Sequence, residues 1–212
     1  MSKEKAEVQV EDIELADHPK LRIKFITWNV GNEEPEKSEV SDLYGDLDTI
    51  DIFVVGLQEC EYKAKSSFSK EASSQSKKFH FPSLTESVLK EKNVKLVTLA
   101  VVHFGEIYLH ILVKPEIKEE ITWSQSSMER TGIGGVGWNK GGCVFALEYK
   151  RNTFCFVSAH LAAHMEHLDR RNADFQEILS GTRLGEQSIC SRIMQILQFG
   201  SGSGHKLDIT KA

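Results

Sequence analysis

Two apolar runs near the start of the chain give the clearest structural signal. Residues 21–30 become mostly apolar and predict a buried strand that ends at Trp28-Asn29. Residues 50–57, Ile-Asp-Ile-Phe-Val-Val-Gly-Leu, are apolar at almost every position and rich in β-branched side chains, which is typical of a strand covered on both faces. The second run delivers Gln58-Glu59 to the end of its strand.

The remaining pattern alternates between short apolar runs and helical periodicity. It predicts further strands over residues 94–104, 107–113, 117–128, 144–149 and 153–159, the last two as a hairpin. Ser83 and Glu86 have capping-box spacing and predict a helix over 84–92. Two more helices are predicted over 165–179 and 188–199. The first of these has most of its apolar residues on one face: Met165, Leu168, Phe175, Ile178 and Leu179.

Three polar stretches separate these elements. Residues 1–20 are acidic and nearly devoid of aromatic side chains, so we expect a flexible arm there. Residues 31–48 are acidic and predicted to form a loop, and the Ser/Lys-rich residues 63–78 are predicted to form a mobile loop. Residues 21–212 are therefore expected to hold the folded part.

Composition restricts the class of protein. With 212 residues, 40% hydrophobic and 27% charged, the chain is expected to form one globular domain. It has no run of about 18 apolar residues and no secretory signal at its start, so we expect a cytoplasmic protein. Residues 1–60 hold 6 Lys/Arg against 15 Asp/Glu, a net −9, so the total of −5 leaves +4 for residues 61–212. That balance suits a small anion or an acidic membrane surface better than a long polyanion, although scattered surface charge explains it equally well.

Candidate chemistry lies at the predicted strand ends. Glu59 suits Mg²⁺, which takes one or two carboxylates and fills its coordination shell with waters and phosphate oxygens, and Asn29 ends a neighbouring strand. The turn Asn139-Lys140-Gly141-Gly142 offers an amide, an ammonium and open backbone N–H groups to phosphate oxygens, or it is simply a glycine turn. His160, His164 and His167 are close in sequence, but Leu161 stands where a zinc protease motif needs its glutamate.

Five ordered motifs together resemble the inositol polyphosphate 5-phosphatases, over about residues 21–199. The motifs are Thr27-Trp28-Asn29-Val30, Gly56-Leu57-Gln58-Glu59-Cys60, Asn139-Lys140-Gly141-Gly142, Ser158-Ala159-His160-Leu161-Ala162-Ala163-His164 and Arg170-Arg171-Asn172-Ala173-Asp174. The resemblance implies an α/β fold, a four-layer α/β/β/α sandwich of two mixed sheets flanked by helices and incomplete at its C-terminus. It also implies Mg²⁺-dependent removal of the 5-phosphate from phosphoinositide lipids or soluble inositol polyphosphates.

The resemblance also assigns roles to residues. Asn29 and Glu59 match the metal site, and His160 matches the catalytic histidine beside the scissile phosphate. Substrate-binding positions follow from the same motifs: Asn139, Lys140, His164, Arg171 and Asn172. In this family the Asn-Lys-Gly-Gly motif contacts the phosphate that links inositol to the lipid. A monomer in peripheral contact with the cytosolic face of a membrane, without nucleic acid as a partner, is the expectation.

Three further motifs of that family do not occur in the chain: Gly-Asp-x-Asn, Cys-Asp-Arg and Ser-Asp-His. They supply the aspartate that aligns the attacking water and a closing Asp–His pair, so the chain is expected to be the N-terminal two-thirds of such a domain, with little or no activity. Three alternatives stay open: a non-catalytic phosphoinositide-binding or regulatory fragment, a nuclease of the same fold, and a fragment that does not fold.

Overall fold

The computed structural model of the chain describes residues 7–15, 18–60, 80–131, 140–184 and 187–188. Its strands are β1 (Glu7–Leu15), β2 (His18–Asn29), β3 (Ile52–Gln58), β4 (Val97–Phe104), β5 (Ile107–Val113), β6 (Ile121–Arg130), β7 (Gly141–Tyr149), β8 (Asn152–His160), β9 (Arg183–Leu184) and β10 (Gln187–Ser188). Its helices are α1 (Lys37–Tyr44), α2 (Phe81–Glu91), α3 (Pro115–Glu119) and α4 (Leu168–Gly181). None of the helices in these ranges is long and apolar enough to cross a membrane.

The larger sheet is mixed and has five strands in the order β1-β2-β3-β5-β4. β3 lies at its centre, parallel to β2 and antiparallel to β5. Every residue of β3 and β5 is buried, which explains their continuous apolar sequences, because alternate side chains face two different layers. The parallel register pairs Asn29 with Gln58, so β2 and β3 end side by side at one edge of the sheet.

The second sheet has three described antiparallel strands in the order β6-β7-β8. Gly141 pairs with His160, so β7 begins where β8 ends. β3 and β8 face each other across the two sheets and approach closely at Gly56, where an added Cβ would lie 2.9 Å from Ser158 Oγ. A glycine is therefore needed at this position for β8 to reach β3.

Apolar clusters define four layers. The cluster between the two sheets joins strands of both: Ile23, Ile52, Val54, Leu109, Ile111, Phe145, Leu147 and Phe156 are among its buried members. On its other face the five-stranded sheet packs against α1 and α2, through Val40, Tyr44, Val88 and Leu89. The three-stranded sheet packs against α4 through Val144, Ala146 and Ile178. These layers confirm the predicted α/β/β/α sandwich.

The prediction of a flexible arm over residues 1–20 is wrong for its described part. β1 is an edge strand, antiparallel to β2, and its register runs from Glu7 opposite Thr27 to Leu15 opposite His18. The sequence does contain two apolar pairs with the i, i+2 spacing of a strand, Val8 with Val10 and Ile13 with Leu15. An edge strand needs little more apolar surface than this, because its backbone pairs with a neighbouring strand. Acidic composition hid that pattern.

The acidic stretch 31–48 is not wholly a loop either, because α1 occupies part of it. The helix buries only Val40 and Tyr44, and its start is closed by Glu39, whose carboxylate accepts the Glu36 N–H at 3.0 Å. α2 begins at Phe81, earlier than the capping box predicted. Ser83 is inside the helix, where its hydroxyl donates to the His80 carbonyl at 2.8 Å instead of capping the helix.

Two other elements differ from expectation. The stretch predicted as a strand over 117–128 divides into α3 and β6, because Pro115 starts a short helix that buries Ile117. α4 begins three residues later than predicted, and its packed side chains are Asp174 and Ile178. Met165, Leu168 and Phe175, which belong to the apolar helix face identified in the sequence, are 92%, 58% and 51% exposed. The helix predicted over 188–199 and the loop over 63–78 lie outside the described residues, apart from Ser188 in β10.

A buried histidine in β5 predicts a loss of stability in mild acid. His110 is 0% exposed, Thr98 Oγ1 lies 2.9 Å from its Nε2, and burial lowers its pKa to about 4. In the unfolded chain the same imidazole takes up its proton near pH 6.5, so stability falls as the pH drops from about 6.5 towards 4. We expect the free energy of unfolding to fall by about 2 kcal/mol between pH 7.5 and pH 5 because of this residue.

Urea unfolding of the wild type and of His110→Gln at both pH values measures that effect. The variant lacks the titrating group, so its loss of stability in acid should be smaller by the stated amount. Equal losses in the two proteins would contradict the assignment to His110.

Candidate active site

Four of the predicted site residues meet at one edge of the sandwich. Asn29 ends β2 and Glu59 directly follows β3, while Lys140 directly precedes β7 and His160 ends β8. The parallel pairing of β2 with β3 and the pairing of Gly141 with His160 bring these ends together. Both sheets therefore contribute polar side chains to the same place.

Glu59 is held in a defined conformation. Its φ of 56° lies in the left-handed region, which is unfavourable for a residue with a Cβ. The carbonyl of Glu59 accepts the Asn32 N–H at 2.8 Å, which ties this conformation to the turn after β2. Glu59 Oε1 accepts a hydrogen bond from Asn29 Nδ2 at 3.0 Å, and Asn29 Oδ1 accepts the N–H of Gly31 at 3.0 Å. The carboxylate is thus oriented while its side chain stays 29% exposed.

His160 lies between a cation and the Glu59 carboxylate. Its Nε2 is 2.6 Å from Lys140 Nζ and 3.7 Å from Glu59 Oε1. An ammonium can only donate, so the short contact makes Nε2 the acceptor and leaves the proton of a neutral imidazole on Nδ1. Burial lowers the pKa of Lys140, and the negative charges of Glu59, Glu106 and Asp174 oppose that shift. The cluster therefore contains the Glu59 carboxylate and the His160 imidazole next to the Lys140 ammonium.

Buried polar side chains next to this cluster connect the two sheets. The Gln58 carboxamide donates from Nε2 to Thr27 Oγ1 and to Ser158 Oγ, both at 3.3 Å. Gln58 and Ser158 are buried, at 8% and 4% exposure. The sequence signal for them was a polar residue within each apolar strand, one residue before Glu59 and two before His160.

The remaining predicted residues lie elsewhere or have other partners. His164 is exposed on the loop between β8 and α4, where its ring packs edge-on against His167, and Asn172 is exposed on α4. The Arg171 guanidinium donates to the carbonyls of Ala162, His164 and Met165. Asn139 lies outside the described residues.

The two glycines after Lys140 also differ from expectation. Gly141 and Gly142 were predicted to present open N–H groups in a turn. They are instead buried at the start of β7, paired with Arg130 and Glu129 of β6 on one side and with His160 and Ala159 of β8 on the other. Of the described residues of this motif, it is therefore Lys140 that can reach a ligand, because Gly141 and Gly142 are buried in the sheet.

The donor set at this edge fits a hard divalent cation. No cluster of three or more His, Cys, Asp or Glu side chains suited to a metal occurs among the described residues. Mg²⁺ does not need one, since it is commonly held by one or two carboxylates and keeps several waters beside substrate phosphates. The Glu59 carboxylate, which is 29% exposed, supplies oxygen ligands of that kind, whereas Asn29 turns its Nδ2 toward Glu59 and its Oδ1 toward the Gly31 N–H.

Comparison with known proteins gives consistent matches. A family model described as Endonuclease/Exonuclease/phosphatase family 2 matches residues 26–202. Phosphatidylinositol 4,5-bisphosphate 5-phosphatase A of Rattus norvegicus is 31% identical over 166 residues, which cover 76% of this chain and 16% of the relative. Type II inositol 1,4,5-trisphosphate 5-phosphatase of Mus musculus is 29% identical over 154 residues, which cover 73% of this chain and 15% of the relative.

A solved structure shares the fold. The inositol polyphosphate 5-phosphatase domain of a synaptojanin, crystallised with inositol (1,4)-bisphosphate and calcium ion, matches with a TM-score of 0.63 and 23% identity. The match covers 87% of this chain and 50% of that domain. The chain therefore spans half of the solved domain and about a sixth of the curated relatives that it matches.

Proposed function

Because the chain belongs to the endonuclease/exonuclease/phosphatase family, in its inositol polyphosphate 5-phosphatase branch, we propose that it takes part in Mg²⁺-dependent removal of the 5-phosphate from phosphoinositides or soluble inositol polyphosphates. The observation that carries the proposal is the convergence of Asn29, Glu59, Lys140 and His160 at one edge of the sandwich. A nuclease would not need the lysine and the two-histidine motif.

The chain's own residues divide the chemistry between them. When bound, Mg²⁺ would polarise the phosphate and neutralise charge that develops in the transition state. Glu59 would hold it with its carboxylate oxygens, and Asn29, whose Nδ2 donates to that carboxylate, would keep the carboxylate oriented. Lys140 brings a positive charge to within 2.6 Å of His160, so a phosphate oxygen entering here meets an ammonium and an imidazole together. His160 would donate a hydrogen bond to the phosphate once its Nε2 carries a proton.

Contact with a lipid surface follows from the loop beside the site. Met165 and Leu168, close to His164, are 92% and 58% exposed, so an apolar surface is available next to the proposed substrate-binding histidine. Residues 61–212 also carry a net +4. Exposed apolar side chains together with a positive net charge favour acidic lipid headgroups. We infer a cytoplasmic monomer in peripheral contact with a phosphoinositide membrane, without a nucleic acid partner.

Turnover by these residues alone is expected to be slow, because the Gly-Asp-x-Asn, Cys-Asp-Arg and Ser-Asp-His motifs do not occur in the sequence. Loss of one member of a cooperative catalytic set costs orders of magnitude in rate. The test is therefore a single-turnover assay with the chain in excess over phosphatidylinositol 4,5-bisphosphate in phosphatidylcholine vesicles, and in parallel over soluble inositol 1,4,5-trisphosphate.

We expect slow phosphate release that requires Mg²⁺, stops with a chelator and removes only the 5-phosphate. Binding to the vesicles without any release would overturn the catalytic proposal in favour of a non-catalytic phosphoinositide-binding fragment. Nicking of supercoiled DNA at a rate exceeding phosphate release would favour the nuclease.

A further inference from the structure

The loop that carries His164 is fastened to α4 by one arginine. The loop, residues 161–167, connects the end of β8 to the start of α4. Arg171 donates from Nη1 to the Ala162 carbonyl at 3.4 Å and to the His164 carbonyl, and from Nη2 to the Met165 carbonyl at 3.2 Å. A planar guanidinium can bind several carbonyls at once, which an ammonium cannot do with the same geometry.

A buried carboxylate also holds the start of this loop. Asp174 is 1% exposed, and its Oδ2 accepts the Ala162 N–H at 2.8 Å. Its Oδ1 pairs with Arg170 at 2.6 Å, and Arg170 also contacts Glu177 at 3.2 Å. The carboxylate is therefore paired with a cation and hydrogen-bonded, the condition under which a buried charge is tolerated.

The conformation of the loop needs such support. His164 has φ of 72°, in the left-handed region, which costs a non-glycine residue free energy unless its surroundings enforce it. Its carbonyl accepts from Arg171 and from the His167 N–H at 3.2 Å. The strained residue is also the one whose side chain is proposed to face the substrate, and strain of this kind collects at functional positions.

Arg171 and Asp174 together form a clamp on the loop, and the charge of Asp174 also affects Lys140. Asp174 is one of three carboxylates whose negative charge opposes the lowering of the Lys140 pKa by burial. The buried carboxylate is thus close enough to the anion-binding lysine to influence it, although it has no access to an anion itself. Geometry and electrostatics link α4 to the same end of the site.

We propose that Arg171 and Asp174 are positioning residues, which hold residues 162–165, and with them His164, in the loop that follows the site residue His160, and that Arg171 is not a substrate ligand. The inference rests on the proposed function, since it concerns the site for an inositol phosphate. It assigns the Arg-Asn-x-Asp motif to the architecture of the loop.

The two variants Arg171→Lys and Asp174→Asn test this inference by the sign of their effect. Arg171→Lys keeps the charge and loses the fork that spans three carbonyls. Asp174→Asn removes a negative charge, so simple electrostatics predicts tighter anion binding, whereas the clamp predicts weaker binding. An amide presents one acceptor and one donor atom, so either the Ala162 contact or the Arg170 contact is lost. Arg151→Lys, in the exposed β7–β8 turn at the opposite end of the sheet, is the matched control.

Binding of inositol 1,4-bisphosphate to the full chain is measured by calorimetry, and the imidazole resonances of His164 are recorded by NMR without ligand. We expect each variant to weaken binding at least about 10-fold and to shift the His164 resonances, with Arg151→Lys unchanged. If Asp174→Asn does not fold, as its thermal melt would show, Arg171→Lys decides the question.

Unchanged or tighter binding by the folded variants, with unchanged His164 resonances, overturns the clamp. Weaker binding by Arg171→Lys without any shift of the His164 resonances makes Arg171 a direct ligand and likewise overturns it. Failure of the wild type to bind inositol 1,4-bisphosphate counts against the proposed function instead, and the ligand-free resonances of His164 still decide whether the clamp positions the loop.

Discussion

Replacing Glu59 by Gln should weaken Mg²⁺ binding by at least about 100-fold and abolish phosphate release, while the melting temperature changes by no more than about 2 °C. Loss of residues that only orient metal ligands costs about 10–100-fold in affinity, so loss of the proposed carboxylate ligand itself should cost more. The side chain is 29% exposed and contributes little to packing, and such substitutions usually alter stability by less than about 0.5 kcal/mol.

Calorimetric titration with Mg²⁺, single-turnover phosphate release and thermal melting measure the three quantities. Glu119→Gln is the matched control, because Glu119 is exposed in α3 at the opposite edge of the five-stranded sheet. It removes the same charge and should leave Mg²⁺ binding unchanged. If the Glu59→Gln protein loses both its fold and its metal affinity, the Glu59 side chain instead stabilises the turn in which the Glu59 carbonyl accepts the Asn32 N–H.

The strands of the core were predictable because their sequences report burial directly. β3 and β5 are apolar at nearly every position, and a strand with helices on one side and a second sheet on the other has no face left for polar residues. The ends of such strands are also predictable, and they bring Asn29, Glu59 and His160 into one cluster. Short-range pattern and the order of motifs were sufficient for this part of the site.

Elements at the surface were harder to predict, because their sequence pattern is weak. α1 has only two buried residues and β1 gains its stability from backbone pairing, so acidic composition dominated both. In α4 the helix was predicted, but the face that the structure buries was not. That face contains Asp174, a charged residue whose burial depends on Arg170 and on the Ala162 N–H, neither of which a hydrophobic pattern can reveal.

The backbone partners of Arg171 were not predictable for a related reason. An arginine in a motif that resembles a phosphate-binding family is naturally assigned to the phosphate, since guanidinium groups bind phosphate well. Backbone carbonyls also accept from a guanidinium, and only the path of the loop after β8 places three of them beside the helix. Sequence spacing specifies which residues share a helix face, but it does not specify which acceptors a neighbouring loop will offer to that face.

The second large effect is expected at Gly141, where Ala should destabilise the fold by at least about 4 kcal/mol and lower the melting temperature by about 10 °C. An added Cβ would lie 2.2 Å from the Glu129 carbonyl oxygen, in a residue with φ of 150°. That oxygen belongs to the backbone of β6, so it cannot move away without disrupting the pairing of β6 with β7. Since domains are stable by only about 5–15 kcal/mol, this one methyl group removes a large share of the total.

Gly31→Ala is a control for a Cβ added at a positive φ where no other atom is in the way. Gly31 also has a positive φ, 64°, but an added Cβ there would have nothing within 4 Å. Its replacement should therefore cost only about 1 kcal/mol, the usual penalty for placing a Cβ in the left-handed region. Chemical denaturation of both variants measures the difference. Equal losses of stability in the two variants would mean that the overlap with the Glu129 carbonyl adds no cost at Gly141. A much larger loss at Gly141 would give the Lys-Gly-Gly motif a structural role: the glycine lets β6 approach β7 closely enough for Lys140 to lie beside His160.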